Sequence, residues 1–257
     1  MARPRRPAVV EREAYALCGD SHLPLYRRLY LAFAEQIAAG VLKPGDSLPA
    51  EADIARRYTL APGTVRRAMQ DLADKGLIDR IHGRGTFVRR PNFDHAMLRF
   101  LRFRDSGGAV IHPESRIVAR RIIPIPAQLG AKLATAERTV LHMVRHRLWD
   151  GAVRLIEDIY LPEHRFIRLL DASPEEVGPL LYPAYERLCG QLVCGIEEEI
   201  AMTEATAEDA AALGLAPGSL VVSIERLARD ATGRPLEWRL SRAEAKRFRY
   251  RVSSDQF

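Results

Sequence analysis

Two groups of residues have the types and spacing to do chemistry, and in both the chemistry is recognition of negative charge. The first lies in Pro62-Gly-Thr64-Val-Arg66-Arg67-Ala-Met-Gln70, followed by His82-Gly83-Arg84-Gly85. On a helix whose buried stripe is Val65, Ala68, Met69 and Leu72, the side chains of Thr64, Arg66, Arg67 and Gln70 fall outside the stripe. An arginine there has the donor fork that matches guanine O6 and N7, and a threonine reaches a base edge or a phosphate. Backbone amides at helix starts, with Arg56 or Arg57, suit phosphate oxygens. The competing reading of each arginine is an exposed helix residue that faces only water.

The second group is Arg145 and Arg147, two residues apart on an apolar, β-branched segment. On a strand they point to the same side, about 7 Å apart. Leu141 and Met143 share that side as an apolar floor. Paired guanidinium groups over such a floor suit a carboxylate or phosphate. Glu157 and Glu237, on neighbouring segments, are placed to accept hydroxyl or amine donors. The competing reading is a satisfied ion-pair cluster on an exposed sheet face, and both readings stand at this point.

Other chemistry is poorly supported. His142 and His146 would share a helix face, but on this strand they lie about 13 Å apart, too far for a metal pair. Cys189 and Cys194 have no partner pair for zinc, and Glu197-Glu198-Glu199 reads as a solvated strand edge. No Ser or Cys nucleophile with a recognisable local signature is present. The sequence therefore implies no catalytic residues, no metal and no cofactor, and the expectation is that the chain is not an enzyme.

The elements that must position these residues follow from periodicity. Leu25, Leu29, Ala32, Phe33 and Ile37 predict a helix from about 25 to 39, stopped by Gly40. A second helix is predicted over 51–58. A third starts at Pro62, whose ring suits the first helical turn, and ends at Gly76. A hairpin follows, 77–81 and 86–88, with two glycines around a basic tip. Three helices and a basic-tipped hairpin are the order of a winged helix-turn-helix, with the third helix entering the major groove. Arg89-Arg90-Pro91-Asn92 opens a linker, taken as residues 90–95.

Beyond the linker, strands are predicted over 116–123, 140–148, 153–161, 192–202, 220–228 and 235–241. Helices are predicted over 126–133, 180–189 and 207–213. Strands joined by hairpins imply an antiparallel sheet with helices against it, an α+β domain. Register matters here. A plain two-residue turn at Asp150-Gly151 pairs Arg145 with Ile156 and turns Glu157 away, whereas a longer or bulged connection puts Glu157 beside the arginines.

Charge supports the division. The 257-residue chain carries a net charge of +6. Residues 1–90 hold 16 Lys+Arg against 10 Asp+Glu, whereas residues 91–257 hold 23 of each. A basic head on a neutral body is the pattern of a polyanion-binding module carried by something with a second task. Residues 1–22 read as a flexible basic arm. No apolar run is long enough for a membrane helix, no secretory signal opens the chain, and three scattered cysteines suit a reducing, cytoplasmic setting.

The segment PLYRRLYLAFAEQIAAGVLKPGDSLPAEADIARRY, with TVRRAM, GLI and GRGTFV after it, resembles the GntR family of transcription regulators. The resemblance implies a winged helix-turn-helix over 23–89, with DNA contacts on Thr64, Arg66, His82, Gly83 and Arg84 beside the Arg67 read from the helix. Two places depart from the family pattern. Ala52 stands where an arginine is common. Ala61 and Pro62 stand where Ser-Arg is common, which removes a usual helix cap.

Arg145-His-Arg147-Leu, Asp150-Gly151, Glu157-Asp-Ile-Tyr160-Leu-Pro162 and Gly233-Arg-Pro235-Leu-Glu237-Trp-Arg239 resemble the UTRA domain of the HutC branch. This implies a chorismate-lyase-like effector and dimerisation domain over 96–250, with Arg145, Arg147, Glu157 and Glu237 in the ligand site. Ala243 stands where a tyrosine often lies near the ligand. The effector is therefore expected to differ from the amino-sugar phosphates and histidine-pathway acids of relatives. The implied partners are a pseudo-palindromic duplex operator, a small anionic effector and a second copy of the chain, with repression as the usual mode. The alternatives are an architectural DNA binder indifferent to metabolites and an enzyme acting on a small carboxylate.

Overall fold

The structure, a computed structural model, describes residue 17, residues 22–89 and residues 113–247. The expected arm (apart from residues 17 and 22), the linker and residues 96–112 and 248–250 lie outside the described residues. The chain divides into two compact units, Met1–Pro91 with Asp230–Gly233, and Asn92–Arg229 with Arg234–Phe257.

The first unit holds α1 (Leu25–Ala38), α2 (Glu51–Tyr58) and α3 (Pro62–Asp74), then β1 (Ile78–Ile81) and β2 (Gly85–Val88). Leu29, Phe33 and Ile37 of α1 recur every four residues and are buried, as are Ile54 of α2 and Val65, Met69 and Leu72 of α3. Each such side chain contributes roughly 1.5–3 kcal/mol by leaving water. Thr59 takes a left-handed conformation, φ 52°, and so ends α2 abruptly enough for α3 to turn back on it. Ala61 makes no capping hydrogen bond, as its side chain dictates, and Pro62 occupies the first turn of α3.

The small sheet has a further member. Gly45 N donates to Val88 O, Val88 N to Asp46 O and Leu48 N to Thr86 O, so the segment before α2 lies along β2. The wing is thereby tied to the start of α2 by backbone bonds.

The second unit is a six-stranded, wholly antiparallel sheet in the order β3-β4-β5-β8-β7-β6. Its first half is β3 (Glu114–Pro124), α4 (Ala127–Leu133), β4 (Thr139–Trp149) and β5 (Ala152–Pro162). Its second half repeats that order: β6 (Gly195–Glu204), α8 (Ala207–Leu213), β7 (Leu220–Arg229) and β8 (Pro235–Glu244). The halves join where β5 pairs with β8. Between them run α5 (Glu163–Phe166), a 3-10 turn (Ile167–Leu169), α6 (Pro174–Val177) and α7 (Leu181–Cys189). These cover one sheet face, where Phe166, Leu169, Leu181, Tyr182 and Tyr185 pack on Leu141, Met143, Ile159 and Leu161. On the other face α4 packs beside Val140 and Trp238, and α8 beside Ile156 and Val221.

Three elements differ from expectation. The strand expected over 192–202 runs over 195–204, because Leu192 and Val193 are apolar as buried core residues rather than as strand residues. The short helices α5 and α6 were not expected. For α6 a signal existed, since Ser173 and Glu176 form a reciprocal capping box at its start.

Candidate functional site: a nucleic-acid surface and a buried charge cluster

In the first unit, α3 presents its N-terminal end outward. Arg66 is exposed, with 77% of its side-chain surface open, and its only ion-pair neighbour among the described residues is Glu51 at 3.9 Å. Thr64 is half-buried one residue before Val65, which anchors that turn. Arg67 leans the other way, its guanidinium lying 4.3 Å over the Tyr26 ring of α1. Gln70 is engaged too, donating to Asp74 and accepting from Arg80. Of the residues off the stripe, Arg66 thus has the freest donors.

His82, Gly83 and Arg84 form the exposed three-residue tip between Ile81 and Gly85. Gly83 and Gly85 have φ of 71° and 115°, which side chains with a Cβ adopt reluctantly. Sequence reasoning missed Arg80. It donates to Gln70 of α3 at 2.9 Å and to Glu51 of α2 at 3.0 Å, fastening the wing to both helices. Its one legible signal was an outward place on a short amphipathic strand.

In the second unit the four expected residues come together inside the protein. The turn between β4 and β5 has two residues, Asp150 and Gly151, both with positive φ. The register then shifts between Arg147 and Leu148, so Arg147 faces Leu155 and Arg145 faces Glu157. The tight turn and the shared face are both realised, because a bulge at Arg154 restores the alternation.

Arg145 Nε donates to Glu157 Oε2 at 2.5 Å. Arg239, on β8, donates from Nη1 to Glu157 Oε1 at 3.0 Å and from Nη2 to Glu237 Oε2 at 2.7 Å. Glu237 also accepts from the hydroxyls of Tyr185, at 2.5 Å, and Tyr182, at 3.3 Å. Arg147 Nη1 donates to the Pro179 carbonyl at 2.9 Å. Arg226 of β7 adds a bond to the Tyr182 hydroxyl and an ion pair with Glu198 at 2.5 Å. Glu198 is therefore a buried partner and not part of a solvated edge. It alternates inward while Glu197 and Glu199 are exposed.

The cluster is buried, which removes the exposed-face reading. It is also incompletely paired: Arg145 Nη1 and Nη2, Arg147 Nε and Arg239 Nε have no hydrogen-bond partner among the described residues. Arg145 has no exposed surface. Burial alone would raise the Glu157 carboxyl, but the guanidinium groups of Arg145 and Arg239 outweigh it and hold it well below the usual carboxylate range. Arg147 is pushed down to about 10 by burial and by the positive charge of Arg145. Burial and the nearby Glu237 carboxylate hold the Tyr185 hydroxyl well above its ordinary value, so it stays a donor. The interior thus has an excess of donors and of positive charge.

Sequence reasoning missed Arg226 and Arg239. Their signal was inward alternation, since both are paired across β7 and β8 and face the same side as Glu237. On the opposite sheet face, His142 bonds Asp158 at 2.7 Å and stacks on Tyr160, a satisfied arrangement. No group of three metal-ligating side chains occurs among the described residues, and no helix among them is long and apolar enough to cross a membrane. Ala243 packs with Leu155 in a small apolar pair.

Residues 109–249 match the UTRA domain, and residues 25–88 match the bacterial regulatory proteins of the gntR family. The transcriptional repressor NagR of Bacillus subtilis is 28% identical over 209 residues, covering 80% of this chain and 85% of that one. The histidine utilization repressor of Klebsiella aerogenes is 36% identical over 74 residues, 29% of this chain and 31% of that one. Among solved structures, the ligand-binding domain of a GntR-family regulator from Bordetella bronchiseptica aligns with a TM-score of 0.52 and 26% identity, covering 56% of this chain and 92% of that one. A basic winged helix-turn-helix joined to an antiparallel domain with a buried arginine–glutamate cluster, matched on both parts, belongs to the GntR family of DNA-binding transcription regulators, in its UTRA-bearing HutC branch.

Proposed function

We propose that this regulator is a cytoplasmic homodimeric repressor whose operator affinity is lowered by a small anionic metabolite bound in residues 96–250. The observation that carries the effector reading is the buried Arg145 guanidinium with Nη1 and Nη2 unpartnered, next to Arg147. A buried donor without a partner costs roughly 1–3 kcal/mol, and more when charged, so an anion that meets these nitrogens gains what the fold leaves unsatisfied. Glu157 and Glu237 line the same cluster. Since Arg145 is fully covered, a ligand reaches it only when the residues over it shift.

Residues 23–89 supply the DNA contacts, with Arg66 and Thr64 at the groove and Arg67, His82, Gly83 and Arg84 around it. One winged helix reads few bases, so two copies on a pseudo-palindrome double the readout. Coupling is reciprocal: an effector that loosens DNA binds the DNA complex less tightly.

Two measurements test this reading. Operator affinity, titrated against salt by fluorescence anisotropy, should fall linearly on log–log axes, with a slope near −0.9 for each phosphate neutralised. A flat profile would remove the DNA-binding surface. Arg145→Ala should bind operator as the wild type does while losing its response to an anionic effector extracted from the native host. A retained response places the ligand elsewhere.

A further inference from the structure

The buried cluster contains a residue that its candidate ligand contacts do not require. Arg239 reaches Glu157 with one terminal nitrogen and Glu237 with the other, and is itself almost wholly buried. With Arg145 on the second oxygen of Glu157 and two tyrosines on Glu237, every oxygen of both carboxylates is engaged within the protein. An incoming ammonium group would therefore have to share each carboxylate oxygen with a protein donor already bound to it. Across the cluster four guanidinium groups face three carboxylates, a surplus of one positive charge. The guanidinium without a carboxylate partner is that of Arg147, which reaches only the Pro179 carbonyl, and beside it Arg145 leaves both terminal nitrogens without hydrogen-bond partners.

We propose that Arg239 sets the ligand class of this pocket: it withdraws Glu157 and Glu237 from ligand recognition, so that the effector is a compact carboxylic acid without an ammonium group. This rests on the effector reading of Arg145 given above. A planar carboxylate matches the two Nη donors of one guanidinium in the bidentate arrangement. Its single charge cancels the surplus, whereas a phosphate dianion overshoots it. A ligand ammonium would be stripped of water beside a net positive cluster whose carboxylates are already paired with arginines and tyrosines, which is strongly unfavourable.

The test uses two probes that differ only in that group, butyrate and 4-aminobutyrate, with inorganic phosphate as a third, titrated calorimetrically into the full-length protein. The wild type should bind butyrate at millimolar concentration or better, and 4-aminobutyrate roughly tenfold more weakly or worse, because the ammonium is buried beside carboxylates that are already paired. Arg239→Gln frees Glu157 Oε1, leaves Glu237 to the two tyrosines and removes one positive charge, and should bring the two affinities together or reverse their order. Equal affinities in the wild type, an unchanged ratio in a folded Arg239→Gln, binding of phosphate in preference to butyrate, or no binding of butyrate would each overturn the proposal. The wild-type ratio decides the matter even if the variant fails to fold. Arg145→Ala separates the two levels. If it binds butyrate as the wild type does, the pocket reading itself fails, whatever Arg239 does.

Discussion

Glu157→Gln is expected to destabilise the second unit by about 3–5 kcal/mol at neutral pH, the usual cost of removing one partner from a buried ion pair. Glu157 lies between Arg145 and Arg239, and no other described residue bonds Arg145. The neutral amide would leave the Arg145 charge buried and unpaired, while Arg239 would keep Glu237. For a domain of this size, that loss corresponds to a fall in Tm of roughly 6–20 °C.

The pH dependence has a definite sign. The folded-state value of the Glu157 carboxyl is depressed below its ordinary 4.5. Its contribution is therefore fully present above that value and is lost as pH falls toward the folded-state value. The difference in Tm between wild type and Glu157→Gln should be widest above about pH 5 and narrower at pH 3. Thermal unfolding of both proteins at pH 7 and pH 3 reads this directly. A difference that is absent at pH 7, or the same at both values, would show that the pair contributes nothing as a charge pair.

Arg66→Ala should cost roughly 1–3 kcal/mol of discrimination between the operator and a duplex altered at the contacted base pair, about 5- to 150-fold. The argument is positional. Arg66 stands at the exposed N-terminal end of α3, and its nearest ion-pair neighbour is 3.9 Å away, so its fork is available to a guanine edge. Arg67 is held over Tyr26, so Arg67→Ala should weaken binding by less and evenly across sequences. Competition binding with operator and altered duplexes separates the two. Equal loss of discrimination in both variants, or none in Arg66→Ala, would move base readout away from this helix end.

The sequence by itself determined the order of the helices and the wing in the first unit, for a local reason. Helix periodicity, Gly40, Pro62, Gly76 and the Gly83/Gly85 tip act over a few residues, so the three helices and the wing were legible before any packing was known. Local spacing also determined that Arg145 and Arg147 share a strand face. What it left open was the partner of each charge. The face of Glu157 depends on one bulged residue in β5, a shift that reverses side-chain direction without a signature in composition. The inward arginines lie far from their partners in the chain, Arg239 82 residues from Glu157 and Arg226 28 residues from Glu198, and they meet only because β5 pairs with β8 and β6 with β7. Burial of the cluster was likewise decided by the helices laid over that face. A run of Glu197-Glu198-Glu199 looks solvated in isolation, yet strand alternation and the neighbouring Arg226 bury the middle one. Charge pairing in an antiparallel sheet is a property of register and strand order, both long-range, and so only the tertiary structure decided which charges are cancelled and which donors are left without partners.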